Sequence, residues 1–280
     1  MHPFLIDFGT VSLPLLGELR LALPSYGVML ALGTLLGWIW YHREARRRGL
    51  ELDAAAAVLF WSIVAALAGG KLGLVLVEPG YYLGAPSRML TADFLRAGGV
   101  VWAAVLAGIG TLVALCVRWQ LPVATVLDCA ALPIPVVQAI GRVGCLLAGC
   151  CHGAACDLPW AVVYRSAEAH ERTGVPLGVP LHPAPLYESA WNLAVVLPVL
   201  LLVRKHQRFP GEVMLAYLTC YSVGRALIEF FRGDGARGIW FGGSLSSGQI
   251  VSLAVFPVAA GLWLALRQRS GGQPRAEGTP

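Results

Sequence analysis

The chain has 280 residues, of which 57% are apolar and only 13% charged, with a formal net charge of +5 and a mean hydropathy of +0.67. An average soluble domain is nearer a quarter charged, so this composition excludes an ordinary soluble fold. The positive charge does not mark a nucleic-acid binder either: the basic residues lie beside apolar runs, where a membrane protein keeps its cytoplasmic loops.

Residues 4–23 alternate loosely through Phe4, Ile6, Phe8, Val11 and Leu13, as suits an extended or interfacial arm. This start has no basic stretch and carries Asp7 and Glu18, unlike a cleavable signal. Seven apolar runs follow, at 23–41, 54–77, 99–117, 122–141, 186–203, 212–231 and 248–266. Each approaches the roughly 20 helical residues that cross a hydrocarbon core about 30 Å thick. The fourth, holding Asp128, Pro133 and Pro135, is the least regular of them.

Alternating seven spans puts segments 42–53, 118–121, 204–210 and 267–280 on one side, where they hold eleven Lys and Arg in 37 residues. The other side holds eight in about 100, which makes the first side cytoplasmic, the N-terminus external and the C-terminus internal. The expected fold is therefore an all-α polytopic membrane protein with seven transmembrane helices. Residues 1–269 form its single transmembrane domain, 142–185 supply a small periplasmic cap, and 270–280 are a disordered cytoplasmic tail.

Charges inside spans cost a few kcal/mol each to insert, so each calls for a partner or a function. They are Lys71, Asp128, Glu188, Arg225 and Glu229, with Arg142 at a boundary. Arg225 and Glu229 are four apart on one helix and can pair, as a structural tie or as part of a site. Lys71 sits in Gly-Gly-Lys-Leu-Gly, a pattern for close helix approach with a snorkelling lysine as much as for chemistry. Cys145, Cys150, Cys151 and Cys156 crowd around His152. Three readings stay open for them: metal ligands without the usual C-x2-C spacing, a disulfide from Cys156 on an oxidising face, or buried apolar thiols. Cys116, Cys129 and Cys220 are packing residues. A P-loop, H-E-x-x-H, G-x-S-x-G and a dinucleotide fingerprint are all missing, so no cofactor and no metal is assigned.

Several segments together resemble one family. Gly141-Arg142-Val143-Gly144-Cys145-Leu146-Leu147-Ala148-Gly149-Cys150-Cys151-His152-Gly153 is similar to the signature of prolipoprotein diacylglyceryl transferases. His182-Pro183-Ala184-Pro185-Leu186-Tyr187-Glu188 resembles that family's H-P-x-Q-L-Y-E, residues 225–232 its R-x-x-x-E-F-F-R, and residues 245–249 its closing L-S-x-G-Q. Ser25-Tyr26-Gly27 and Gly69-Gly70-Lys71 also fit, so the matches keep the family's order over nearly the whole chain.

The resemblance implies a transferase of the bacterial cytoplasmic (inner) membrane. It would move diacylglyceryl from phosphatidylglycerol to the lipobox cysteine thiol of a preprolipoprotein signal peptide, leaving glycerol phosphate. Its partners are these substrates and membrane lipids, with no nucleic acid and no cofactor. By the same resemblance Arg142 and Arg225 take the phosphate, Tyr26 and Tyr221 orient head-group oxygens, and Glu229 holds Arg225. Gly153, His182 and Tyr187 complete the substrate-binding set, and Arg232 is a head-group or topology contact.

The chain departs from the family pattern at Cys145, Ala148 and Cys150, where Asn, Asn and Glu are common, at Pro185 in place of Gln, and at Ala103 in place of a histidine. That histidine is often proposed as general base, so help for the thiol would fall to His152, His182 or the arginines. A divergent homologue that binds phospholipid with weak or no transfer is the alternative. A thiol-redox enzyme lacks its C-x-x-C, and a transporter its paired broken helices.

Overall fold

A computed structural model describes residues 3–13, 17–91, 94, 99–234, 238–240 and 245–271. They form two compact units, one over residues 42–127 and the other over residues 1–41 with 128–280.

The larger unit begins with an antiparallel ribbon of β1 (Phe4–Leu13) and β2 (Gly17–Pro24), so the expected arm is extended. Its register shifts between Asp7 and Thr10, where Gly9 adopts φ +82° and its N–H meets Asp7 Oδ1 at 3.0 Å. Helix α1 (Ser25–Arg47) follows and runs past the unit boundary at residue 41.

The smaller unit is largely an antiparallel pair, α2 (Leu52–Val77) and α4 (Val101–Arg118), with α3 (Pro79–Leu83) between them. Glu51 caps α2 by accepting from the Asp53 and Ala54 amides at 3.0 and 2.6 Å. The expected close approach at the Gly-Gly-Lys-Leu-Gly segment is present. A Cβ on Gly73 would come within 2.7 Å of the Ala103 Cβ, and the Val100 amide donates to the Gly70 carbonyl at 2.9 Å. The Lys71 ammonium reaches the Phe94 carbonyl at 2.5 Å and lies 5.1 Å from that ring's centre.

The fourth run is a bent pair, α5 (Val123–Ala131), which crosses the unit boundary at residue 128, and α6 (Ile134–Ala148) in the larger unit, meeting at 42° around Pro133. α6 carries on seven residues beyond the expected end at Gly141, because apolar Val143, Leu146 and Leu147 continue it until Gly149 turns left-handed at φ +86°. A small layer follows within the stretch expected as the cap. The ribbon of β3 (Val162–Val163) and β4 (Pro180–Leu181) and helix α7 (Ala167–Thr173) enclose Tyr164, Ala169, Val175 and Leu181. The Tyr164 hydroxyl donates to the Leu146 carbonyl at 3.2 Å and Thr173 Oγ1 to the Gly149 carbonyl at 3.2 Å, fastening the cap to α6.

α8 (Ala184–Trp191), a π-helical turn at 192–196 and α9 (Leu197–Lys205) make one continuous rod. α10 (Glu212–Ile228) and α11 (Ser247–Gly271) close the unit, with β5 (Ile239–Trp240) and β6 (Leu245–Ser246) between them. Asp128, expected as a charge in search of a partner, caps α10: it accepts from the Gly211 and Met214 amides at 2.7 and 3.0 Å and from Gln207 Nε2 at 2.6 Å. Ala131, Leu132, Val196, Leu200, Val213 and Ala216 form the buried core where these helices meet.

Among the described residues five helices, or helix pairs in line, are long and apolar enough to cross a membrane, and the bent pair makes six. Only 11 to 39% of the residues in the five are buried, and Leu67, Leu76 and Leu106 are about 70% exposed, as lipid-facing side chains would be. The chain is an α-helical, multi-pass membrane protein. α1, over the first expected span, has its leucines diluted by Gly27, Gly33, Thr34, Gly37, Trp38 and Trp40, and it is not among the six. Of the expected tail, Ser270 and Gly271 still belong to α11, and residues 272–280 lie outside the described residues.

Candidate active site

The ends of α6, α8 and α10 bring their charges together. Glu188, on α8 and only 4% exposed, faces three guanidinium groups: Arg142 Nε pairs with its Oε2, while Arg225 Nη1 and Arg232 Nη1 lie 3.3 and 3.9 Å from its Oε1. Glu229 is a second buried carboxylate, 2.5 Å from Arg225 Nη1 and 4.0 Å from Arg232 Nε. The i,i+4 pair expected from the sequence is thus present, as one edge of a larger network. Charges this deep persist because each is matched; removing one partner would leave another buried and unmatched.

Arg232 differs most from its expectation. Instead of a boundary contact it is 8% exposed and forks onto Asp234, Nε to Oδ1 at 2.9 Å and Nη2 to Oδ2 at 2.6 Å. The reason is the chain path after α10, where Arg232 bridges antiparallel to Gly153 and is drawn inward. Here Gly153 N donates to the His182 carbonyl at 3.0 Å, Ala154 N to Phe231 at 2.9 Å, and Gly233 N to His152 at 3.1 Å. A Cβ on Gly153 would overlap the His182 backbone and come within 2.8 Å of the Phe231 carbonyl. Only glycine fits where three backbone segments cross.

Tyr221, on α10, lies within electrostatic reach of Glu188, Arg142, Arg225 and Arg232, and stacks on Tyr217 at 5.6 Å. Gly248, from the closing L-S-x-G-Q, backs onto Arg225: a Cβ there would stand 2.8 Å from Nη2. His182, Tyr187 and Phe231 form an aromatic triangle with centroids 5.2 to 6.0 Å apart. Trp160 Nε1 donates to the Tyr187 hydroxyl at 2.9 Å, and that hydroxyl lies 3.1 Å from His182 Nδ1. His152 is buried, with Nδ1 donating to the Gly153 carbonyl at 3.1 Å.

Tyr26, near the start of α1, is within electrostatic reach of Arg142, Cys145, Cys150 and Cys151. Gly144 permits this approach of α1 to α6, since a Cβ on it would sit 3.0 Å from the Met29 Cβ and 3.3 Å from the Tyr26 Cα. The Sγ atoms of Cys145, Cys150 and Cys151 all lie within 4.8 Å of one another. Successive residues normally point their side chains apart; here Gly149 and then Cys151, at φ +58°, turn left-handed and fold both sulfurs back onto Cys145. A non-glycine residue in that region costs on the order of 1–3 kcal/mol, tolerated only where the surroundings impose it. The neighbouring Cys145 and Cys150 thiols, together with the Arg142 and Arg232 charges, hold the Cys151 thiol below its ordinary pKa against the cost of burial, and Cys150 Sγ donates to the Cys145 carbonyl at 3.7 Å. Cys156 is outside this group and no disulfide joins the four.

All eight residues expected from the sequence lie in the larger unit. Arg142, Arg225, Glu229 and Tyr221 share the charged network, Gly153 and His182 share its backbone crossing, Tyr187 joins through His182, and Tyr26 reaches Arg142. Sequence reasoning missed Glu188 as the hub, although it had marked it as a charge in need of a partner. It also missed the burial of Arg232 and the convergence of three thiols.

The sequence model of the family described as prolipoprotein diacylglyceryl transferase matches residues 14–265. Relatives named phosphatidylglycerol--prolipoprotein diacylglyceryl transferase include one from Clostridioides difficile, 32% identical over 81% of this chain and 84% of its own. Another, from Synechococcus elongatus, is 31% identical over 96% of this chain and 89% of its own. A third, from Clostridium tetani, is 29% identical over 90% of this chain and 96% of its own.

Proposed function

The chain belongs to the prolipoprotein diacylglyceryl transferase family, and from that membership we propose how its own residues carry out the reaction. It is a phosphatidylglycerol--prolipoprotein diacylglyceryl transferase. The acceptor is the lipobox cysteine thiol of a signal peptide, the site is the bacterial cytoplasmic membrane, and residues 1–269 act as one domain. Seven spans with the N-terminus outside put the cap and the charged network at the outer leaflet; the supporting observation is the charge asymmetry of the connecting segments.

The observation that carries the mechanism is the convergence of Arg142 and Arg225 on one carboxylate. Glu188 and Glu229 hold the two guanidinium planes in a fixed relation, so the remaining N–H donors are aimed before substrate arrives. A phosphodiester met there is oriented, and the charge growing on its departing oxygen is stabilised without reorganisation. Tyr26 and Tyr221 flank the same charges and orient head-group oxygens, while Gly153 admits the backbone crossing that positions Arg232.

The test is complementation in cells depleted of their own transferase, with lipid transfer to a lipobox peptide followed in parallel. Lipidated product requiring both arginines supports the reading. Phospholipid binding without transfer would instead establish the divergent binding protein, the outcome that Ala103 in place of the family histidine favours.

A further inference from the structure

A thiol of pKa about 8.5 is only about 3% thiolate at pH 7, and the position of the family's proposed base is Ala103 here. The three sulfurs of Cys145, Cys150 and Cys151 supply a different solution. We infer that they bind one zinc ion whose fourth coordination position takes the acceptor thiol and holds it as the thiolate. This inference rests on the transferase reading and adds to it how the nucleophile is made.

Zinc takes thiolate ligands at about 2.3 Å in tetrahedral geometry, which sets sulfur to sulfur at about 3.8 Å. The three Sγ atoms already lie within 4.8 Å of one another, so a shift of about 1 Å or less per side chain completes the site. The backbone is arranged for it: Gly149 and Cys151 both turn left-handed, at φ +86° and +58°, in the stretch that returns two adjacent thiols to the end of α6. Neither packing nor a single disulfide needs three sulfurs at one point. Catalytic zinc sites keep three protein ligands and an open fourth position, whereas structural sites close all four. His152 does not supply a fourth, since neither of its ring nitrogens lies within 4.8 Å of all three sulfurs. The location also suits the reaction. Arg142 and Arg232 are within electrostatic reach of Cys151, which puts the thiol-holding and phosphate-holding groups side by side.

The step balances without an oxidant. A coordinated thiol is deprotonated outright, and the acceptor releases its proton on binding. Its sulfur pair then forms the S–C bond to the glyceryl carbon as the C–O bond to phosphate breaks. The phosphate oxygen leaves with the electron pair of the broken C–O bond, and glycerol phosphate takes up the proton. The gain in thiolate population at pH 7 is about thirtyfold.

The full chain, purified in detergent without chelator, should carry about one zinc. Cys145→Ser, Cys150→Ser and Cys151→Ser should each lose it, and Cys156→Ser should keep it. Cobalt(II) exchanged into the site should show the intense visible bands of a tetrahedral, sulfur-rich complex. Those bands should shift on adding a lipobox peptide and not on adding its Cys-to-Ser counterpart. Transfer by the zinc form should be nearly flat between about pH 6 and 8, while the metal-free chain should gain about tenfold per pH unit. A chain that takes up no zinc, takes up copper(I) in its place, or is isolated with a disulfide between two of these sulfurs overturns the inference. So does a cobalt spectrum indifferent to the thiol peptide. Full-rate transfer by the metal-free chain overturns the zinc site and leaves the transferase standing. A zinc-loaded chain that responds to the thiol peptide but transfers nothing supports the site and removes the transferase reading.

Discussion

Replacing Arg232 by Lys separates a surface contact from a buried support of the site. A basic residue that only touches lipid head groups tolerates the change, because lysine keeps the charge and lipid phosphates have no fixed geometry. Arg232 instead donates two hydrogen bonds to Asp234, at 2.9 and 2.6 Å, and stands 3.9 and 4.0 Å from Glu188 and Glu229. A single ammonium nitrogen cannot reproduce the parallel pair of bonds, so at least one charge-assisted bond is lost. At 8% exposure, water does not replace it. That loss is about 1.5–3 kcal/mol, or about ten- to a hundredfold in rate if the network must be in place in the transition state. The assay is lipid transfer from phosphatidylglycerol to a lipobox peptide, normalised to folded protein by a thermal melt of the detergent-solubilised chain. The exposed Arg88, stacked on Tyr81 at 4.2 Å, provides a comparison in which Lys should change little. If Arg232→Lys transfers at more than half the normal rate, the buried fork has no part in the reaction and the head-group reading is correct.

Arg142→Lys and Arg225→Lys should each lower transfer by about ten- to a hundredfold with little change in folded amount; full rates in both would reduce the arginines to structural partners of Glu188. Gly153→Ala should destabilise the chain by about 1–3 kcal/mol or more, read as a lower melting temperature, because the atoms it meets are backbone; an unchanged melt would show that the crossing yields. Asp128→Ala should cost about 3 kcal/mol through the lost cap on α10 and leave transfer per folded molecule nearly unchanged, since its bonds go to Gln207, Gly211 and Met214. A reporter active only in the cytoplasm should give signal when fused after Arg48, Arg204 or Arg269 and none near Gly84 or Gly174; a strong signal at Gly174 would overturn the seven-span topology.

The helices were legible because lipid imposes a length and a polarity that show directly in composition. What lipid does not impose was harder to read. The bend between α5 and α6 falls at Pro133, which the sequence shows, but Arg142 reads there as the boundary charge, whereas α6 runs on through Ala148 to the left-handed turn at Gly149. Asp128 was marked as costly in a membrane. That its partners would be the backbone amides of a helix start 83 and 86 residues on was not readable, because nothing local encodes a cap formed across the fold.

The same division explains the site. Arg225 and Glu229 were paired in advance because helical spacing alone brings them together, and the structure keeps that pair at 2.5 Å. Glu188 belongs to a different helix from each of its partners, so its position as hub is a property of packing and no window of sequence contains it. The cysteines show the opposite case. Four within twelve residues are conspicuous, yet the missing C-x2-C spacing counts against a metal site and leaves the disulfide and packing readings open beside it. The left-handed turn at Cys151 gathers the sulfurs without that spacing, at a backbone cost that hydrophobic packing of small thiols would not need to incur. A strained turn that gathers three sulfurs beside the arginines is accounted for by a ligand that needs them together, and the acceptor thiol, whose family base is an alanine in this chain, is what such a ligand would serve.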